Sequence, residues 1–367
     1  MTTSAKELGH AEIEQLGTEL DELRVRVTAD LGAADADYIH NVVAVQRFCE
    51  VSGRLLLFAG WFPPAWVGGV AALAVSKVLD NMEIGHNVMH GQYDWMKDPA
   101  LNSRTFEWDM VCPGEQWRRS HNFMHHTYTN ILGQDRDVGY GILRITDDQP
   151  WHPYYLGNPV YAAAQALFFE YGIMLHDLEA DRIVQGRRHW ADVRPLLKPM
   201  LRKVARQAGR DYVVHPLLTG PLAPLTLTAN ITANVVRNLW AFSIIFCGHF
   251  PDGAEVFTEE ESEDESRGQW YLRQMLGSAN ITGSPLFHVL SGNLSHQIEH
   301  HLFPDLPSHR YPRMAVEVRE ICERHGLPYN TGSLSRQLGS VARKIFRLAL
   351  PEKKPRPAVA SISSTKD

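Results

Sequence analysis

The sequence has no Cys-x-x-Cys pair: Cys49, Cys112, Cys247 and Cys322 are never closer than 63 residues. A compact thiolate zinc site is thereby excluded, and four thiols in 367 residues read as reduced, intracellular cysteines. Positive charge is not in excess either, since the net charge of −6 leaves no global footprint for nucleic acid. There is no internal repeat and no Gly-rich phosphate loop. The stretch Met1–Leu23 lacks a basic segment followed by an apolar one, so no signal peptide is expected. It reads instead as an acidic amphipathic helix with Ile13, Leu16, Leu20 and Leu23 on one face. A composition of 44% apolar, 21% charged and 10% aromatic residues excludes a mainly disordered, collagen-like or coiled-coil chain.

A mean hydropathy of −0.25 suits a soluble protein, but the apolar residues are unevenly spread. Leu55–Ser76 and Tyr212–Val236 carry no charge over 22 and 25 residues, and Asn238–Pro251 is uncharged again. Crossing a hydrocarbon layer takes about 20 apolar residues. Two helical hairpins are expected, with spans about 42–62 and 65–85 turning at Pro63-Pro64, and 212–230 and 232–250 turning near Ala229–Thr232. Arg47, Glu50 and Arg54 in the first arm would lie near the interface or snorkel. Pro159–His176 is shorter and holds Glu170, so it is expected as an interfacial helix. Glu179–Asp211, with nine Lys/Arg against four Asp/Glu, fits a cytoplasmic loop, and Trp61, Trp66, Tyr161, Tyr212 and Trp240 flank the runs as an interfacial belt.

The fold class expected is therefore all-α: a polytopic membrane protein of about four transmembrane helices in two hairpins, with a cytoplasmic helical cap. Residues 1–40 would form a cytoplasmic amphipathic segment, 41–350 the membrane domain and 351–367 a disordered tail. The competing reading is a large soluble protein with buried apolar helices. The acidic run Glu259–Ser266 reads as a solvated loop or a docking patch for a basic redox partner.

What the sequence has in surplus is histidine. Eight of its 18 fall in three boxes: His86-x-x-x-His90, His121-x-x-x-His125-His126 and His296-x-x-x-His300-His301. On a helix, residues four apart share a face, so each box aims imidazoles at a common point. Neutral imidazole suits iron, zinc, copper and nickel, and eight exceed what one tetrahedral zinc can use, which suggests two metals. A lone histidine is usually a core or surface residue, and that reading fits His10, His40, His152, His189, His215, His309 and His325.

The order of these boxes around two apolar hairpins resembles the integral-membrane fatty acid desaturases. The strings GHNVMHG (85–91), HNFMHHTYTN (121–130), FCGHFPDGAE (246–255), GQWYLRQMLGSAN (268–280) and HQIEHHLFPDLPSHRY (296–311) are similar to the actinobacterial NADPH-dependent stearoyl-CoA 9-desaturases within that family. The resemblance covers about residues 10–350.

It implies an O2-dependent di-iron enzyme that inserts a cis double bond into a long-chain saturated acyl chain, stearoyl-CoA at carbon 9. Unactivated C–H bonds are beyond side-chain acid–base chemistry, so the metal must carry the oxidation. No haem, flavin or nicotinamide fingerprint is visible, so the NADPH electrons would arrive through a separate reductase or ferredoxin-type donor. The enzyme would sit in the cytoplasmic membrane with its site facing the cytoplasm.

Carried over by position, the implied iron ligands are His86, His90, His121, His125, His126, His249, His296, His300 and His301. His249 has a second reading as a helix-end histidine, and Ile245 stands where the animal enzymes have Asn. In the third box Gln297 competes with His296, and His296 is favoured because i/i+4 repeats the geometry of the second box. Asp80, Glu83, Asp135, Asp137 and Glu299 are candidates to orient the imidazoles. Arg118 and Arg119 are candidates for coenzyme A phosphates. His176 and His288 carry no assignment. The nearest alternative is a lipid hydroxylase of the same superfamily, and a more distant one is a non-enzymatic metal-binding membrane protein.

Overall fold

Pro63 and Pro64 cannot continue an incoming helix but fit the first turn of a new one, and the helix Pro63–Val78 begins on them. The helix Ala33–Leu57 runs up to this turn and packs antiparallel against it. The two approach closely at glycines: a Cβ on Gly53 would lie 3.0 Å from the Gly69 carbonyl and 2.9 Å from Leu73. This computed structural model describes residues 8–176, 178–184 and 186–351. The expected tail 351–367 lies outside the described residues except for Pro351, as do residues 1–7 of the N-terminal segment.

The second hairpin differs from expectation. Ala223–His249 is one unbroken helix of 27 residues, with no turn at Ala229–Thr232. The chain instead reverses at Thr219–Gly220, where Gly220 takes φ +58°, after a helical arm that runs from Trp190 to Leu218. Only Gly220, followed by Pro221 and Pro224, supplies turn chemistry in this stretch. The polar residues at 228–232 do not break the helix: the hydroxyls of Thr228 and Thr232 are satisfied within it, donating to the Leu225 carbonyl at 2.9 Å and the Thr228 carbonyl at 2.8 Å. Among the described residues, one helix, Gly220–His249, is long and apolar enough to cross a membrane by length and composition.

Several charges within the hairpins find partners, while Arg47 is exposed. Arg54 does not snorkel: it donates to Asn230 at 2.6 Å and lies 3.4 Å from the buried Asp211. Lys77 lies 2.7 Å from Asp211 and 3.2 Å from Asp109. Segment 158–176 is two short helices, Asn158–Leu167 and Phe169–His176, broken at Phe168. Its Glu170 is buried and pairs with buried Arg237 of the long helix at 2.5 Å.

The remaining elements form the cap over the ends of the hairpins. The N-terminal helix His10–Ala29 buries Leu16, Leu20 and Leu23 in one cluster with Tyr271, Leu272, Met275, Met314 and Val318 from the helices Arg267–Leu276 and Tyr311–Arg324. Two three-residue strands pair in parallel, Asn280 opposite Thr331 and Thr282 opposite Ser333. The final helix, Leu334–Ala349, packs Val341 and Ile345 beside Phe246 and Phe250 of the long helix. Apart from these two short strands and an isolated bridge between Ile131 and Phe257, the regular structure of the described residues is helical.

Candidate metal centre

Each histidine box occupies an irregular piece of helix. Leu79–His86 and Arg118–His125 are wide π-type turns at which the first two boxes begin, a feature that recurs at functional sites. The third box is a six-residue helix, Gln297–Leu302, and His249 closes the long helix. These elements bring the imidazoles together. His86, His90, His121 and His300 form one group and His125, His249 and His301 a second, with the candidate ligand atoms in each group within 4.8 Å of one another. His126 stands between them, its ring 4.6 Å from that of His90 and 4.5 Å from that of His301.

Four of the outer ring nitrogens are held. Nδ1 of His125 lies 3.0 Å from Asp135, Nδ1 of His301 lies 3.0 Å from the Gln274 amide oxygen, and Nδ1 of His121 lies 3.4 Å from Asp137. Nδ1 of His300 faces the Tyr311 hydroxyl at 3.4 Å. The inner nitrogens converge: Nε2 of His86 and His300 are 3.2 Å apart. Nε2 of His90, His121, His125, His126 and His301 is sealed from solvent with no hydrogen-bond partner. Orphaned buried nitrogens are costly in a native protein, and metal ions held by the two groups would satisfy them. The residues therefore fit a metal centre.

Electrostatics agree with that fit. Burial, reinforced by neighbouring histidines, holds His90, His126 and His301 well below the usual imidazole range, so they are neutral and ready to ligate. His300 shifts the same way. His125 is the exception: burial pulls it down, but Asp135 and Asp137 more than offset this and bring it to about 8.

His296 is not brought into either group. It is the N-cap of the third-box helix, with φ −105° and ψ 61°, so the i/i+4 face shared by His121 and His125 does not exist between His296 and His300. Its ring packs on His288 at 4.5 Å, and burial lowers it to about 3. Gln297 is the residue that faces the cluster, with its amide 3.0 Å from Nε2 of His249. Gly248 makes room for it, since a Cβ there would fall 2.9 Å from the Gln297 side chain.

Of the five carboxylates expected to orient imidazoles, Asp135 and Asp137 do so. The other three serve the scaffold. Asp80 accepts from the Asp109 amide, Glu83 from Tyr38, Asn293 and Ser308, and Glu299 from Asn280 and Tyr329. Arg118 donates to the Phe106 carbonyl at 3.2 Å, and Arg119 is exposed.

Several contacts were not anticipated. They are Gln274, Tyr311, Trp117 stacked on His121 at 4.5 Å, and His176, whose Nε2 lies 3.1 Å from Asp137. Trp117 stands four residues before His121, a helical spacing visible in the sequence. Gln274 and Tyr311 lie within strings that carry the resemblance, but nothing local marks either as a histidine partner.

A mostly helical scaffold that gathers a buried shell of imidazoles at shared positions, several of them steadied from outside, fits a histidine-rich metal centre. The chain matches the fatty acid desaturase family over residues 56–333 and belongs to that family. It is 51% identical over 350 residues to an NADPH-dependent stearoyl-CoA 9-desaturase of Mycobacterium tuberculosis, covering 94% of this chain and 82% of the relative. It is also 26% identical over 281 residues to an sn-1 linoleoyl-lipid 6-desaturase of Synechocystis, covering 75% and 77%. A third similar protein is a fatty acid desaturase 2-like protein of Mus musculus, 24% identical over 353 residues, covering 91% and 67%.

Proposed function

We propose that this chain is an acyl-CoA desaturase that inserts a cis double bond at carbon 9 of stearoyl-CoA, using O2 and electrons from NADPH passed on by a separate reductase. The observation that carries the reading is the convergence of buried, unpartnered Nε2 atoms whose rings are fixed from behind by Asp135, Asp137 and Gln274. The family and the mycobacterial relative supply the reaction class and the substrate.

His86, His90, His121 and His300 would hold one iron, and His125, His249 and His301 the second, with His126 completing the shell between them. When bound, the iron pair supplies the oxidising power to take two hydrogens from neighbouring methylenes, with O2 leaving as water. The protein's part is to position and to keep dry. Asp135 and Asp137 face Nδ1 of His125 and His121, so that Nε2 is the nitrogen each ring leaves free to ligate. Trp117 lies against His86, His90 and His121 and closes that side to water. Arg119, exposed two residues before His121, is the candidate contact for coenzyme A phosphates.

The setting is a membrane. Phe48, Val51, Leu55 and Trp61 of the first hairpin and Val213, Leu217, Leu218 and Ile231 of the second all face outward, where an aqueous protein would bury them. The two hairpins would cross the bilayer and the cap with its metal centre would face the cytoplasm. The test is the fatty acid profile of a host that lacks such an enzyme, with the chain and a reductase supplied. A new cis-9 alkene is expected; a hydroxy acid without alkene would assign the chain to another reaction of the superfamily.

A further inference from the structure

A cavity of about 30 Å3, the volume of about one water molecule or methylene, lies directly against His86 and His121. Beyond the ligands its walls are mostly apolar, including Met82, Phe169, Ile173, Ile245 and Tyr140, while Asn81, Ser120, Asp137 and His176 supply its few polar groups. A larger cavity of about 350 Å3 reaches His249, but it is lined by Asp147, Asp148, Lys344 and Arg347, which an alkyl chain would desolvate at a cost. A saturated chain brought to the metal centre is therefore better received on the Tyr140 side.

Tyr140 is set there by an unusual piece of backbone. Gly139, Tyr140 and Gly141 have φ of +63°, +53° and +71°, three left-handed residues in succession, and a tyrosine adopts that conformation only under constraint. The ring stacks on Phe246 at 5.8 Å, meets Phe169 edge-on at 5.8 Å and lies 5.2 Å from the His176 ring. Phe246 stands one helical turn before His249, and the loop holding Tyr140 is the one whose Asp135 and Asp137 steady His125 and His121. The ring is thus fixed relative to the metal ligands from both ends.

We propose that Tyr140 is a specificity-determining residue: its ring forms the wall that sets how far an acyl chain extends past the metal centre, and so which methylenes face it. This rests on the desaturase reading above. Phe169 and Ile173 line the same cavity from a helix, whereas Tyr140 sits on the loop that the metal ligands themselves hold in place.

The test compares the full-length wild type, Tyr140→Phe and Tyr140→Ala, each expressed with a reductase in a host fed saturated acids of graded length, with double-bond positions read by mass spectrometry. Tyr140→Phe is expected to keep the wild-type profile. Tyr140→Ala is expected to move the ratio of longer-chain or position-shifted products by about tenfold, the scale on which pockets discriminate methylenes. An active Tyr140→Ala with an unchanged ratio overturns the proposal.

Should that variant be inactive, a photoreactive saturated acyl-CoA with its reactive group near the chain end decides the matter on the wild type. Labelling within residues 138–142 supports the placement, and labelling confined elsewhere overturns it. A wild type that makes no alkene at all would sink the desaturase reading separately, and the labelling result would still locate the chain.

Discussion

Nδ1 of His125 and a carboxylate oxygen of Asp135 lie 3.0 Å apart, both buried, and this contact turns Nε2 of His125 toward His249 and His301. Asp135 also accepts the backbone N–H groups of Asn130 and Asp137, so its own position is set by the chain around it. Replacing Asp135 by Asn keeps the shape and removes the charge. Metal affinity should fall by about 10- to 100-fold, the usual cost of losing an outer partner of a ligating histidine. Metal per chain, measured by mass spectrometry after dialysis against a graded chelator, checks this.

The third histidine box makes a sharper distinction. His296→Ala should keep the wild-type metal content, because His296 packs on His288 outside both ligand groups. His301→Ala should lose at least half, and Gln297→Ala should alter the environment of His249. Metal loss in His296→Ala equal to that in His301→Ala would contradict the arrangement.

The boxes were legible in the sequence because i/i+4 spacing needs no tertiary information: His86, His90, His121, His125, His126, His300 and His301 all reach the centre. His296 stands apart from both groups because the helix begins one residue later than the spacing implies, and helix starts are the least readable feature of a sequence. The turn at Thr219–Gly220 was missed for a related reason. An uncharged run has no charge to mark its ends, and Gly220-Pro221 is a weaker signal than a pair of prolines. The partners of His301 and of Arg54 lie 27 and 157 residues away in the chain, at distances no local pattern encodes.

The Glu170–Arg237 pair joins the short helix Phe169–His176 to the long one, with both side chains at most 2% exposed. Removing one partner leaves a buried charge alone. Arg237→Met or Glu170→Gln should each destabilise the protein by about 3–5 kcal/mol, and Glu170→Leu combined with Arg237→Met by much less than the sum. Thermal unfolding in detergent, followed by circular dichroism, measures both.

Asp35 receives two hydrogen bonds from Arg310, at 2.5 and 2.7 Å, and ties the start of the first hairpin to the cap. Burial would raise its carboxyl, but the Arg310 guanidinium and the Gly32 N–H outweigh it and hold the group below its ordinary value. A depressed carboxylate stabilises the fold fully above about pH 4 and loses that contribution as pH falls through the lowered value. Asp35→Asn should lower stability by about 2–3 kcal/mol at neutral pH. The difference from wild type should shrink as the pH is taken below about 4, which parallel melting curves at several pH values would reveal.

The central claim is that this histidine shell performs acyl desaturation. Its most direct test is the product formed when purified, iron-loaded protein, with a reductase, NADPH and O2, is given stearoyl-CoA. The account predicts a cis-9 octadecenoyl product that is lost under nitrogen and in His125→Ala. A fully metal-loaded protein that yields a hydroxylated chain, or leaves the acyl chain untouched with every tested reductase, would contradict it.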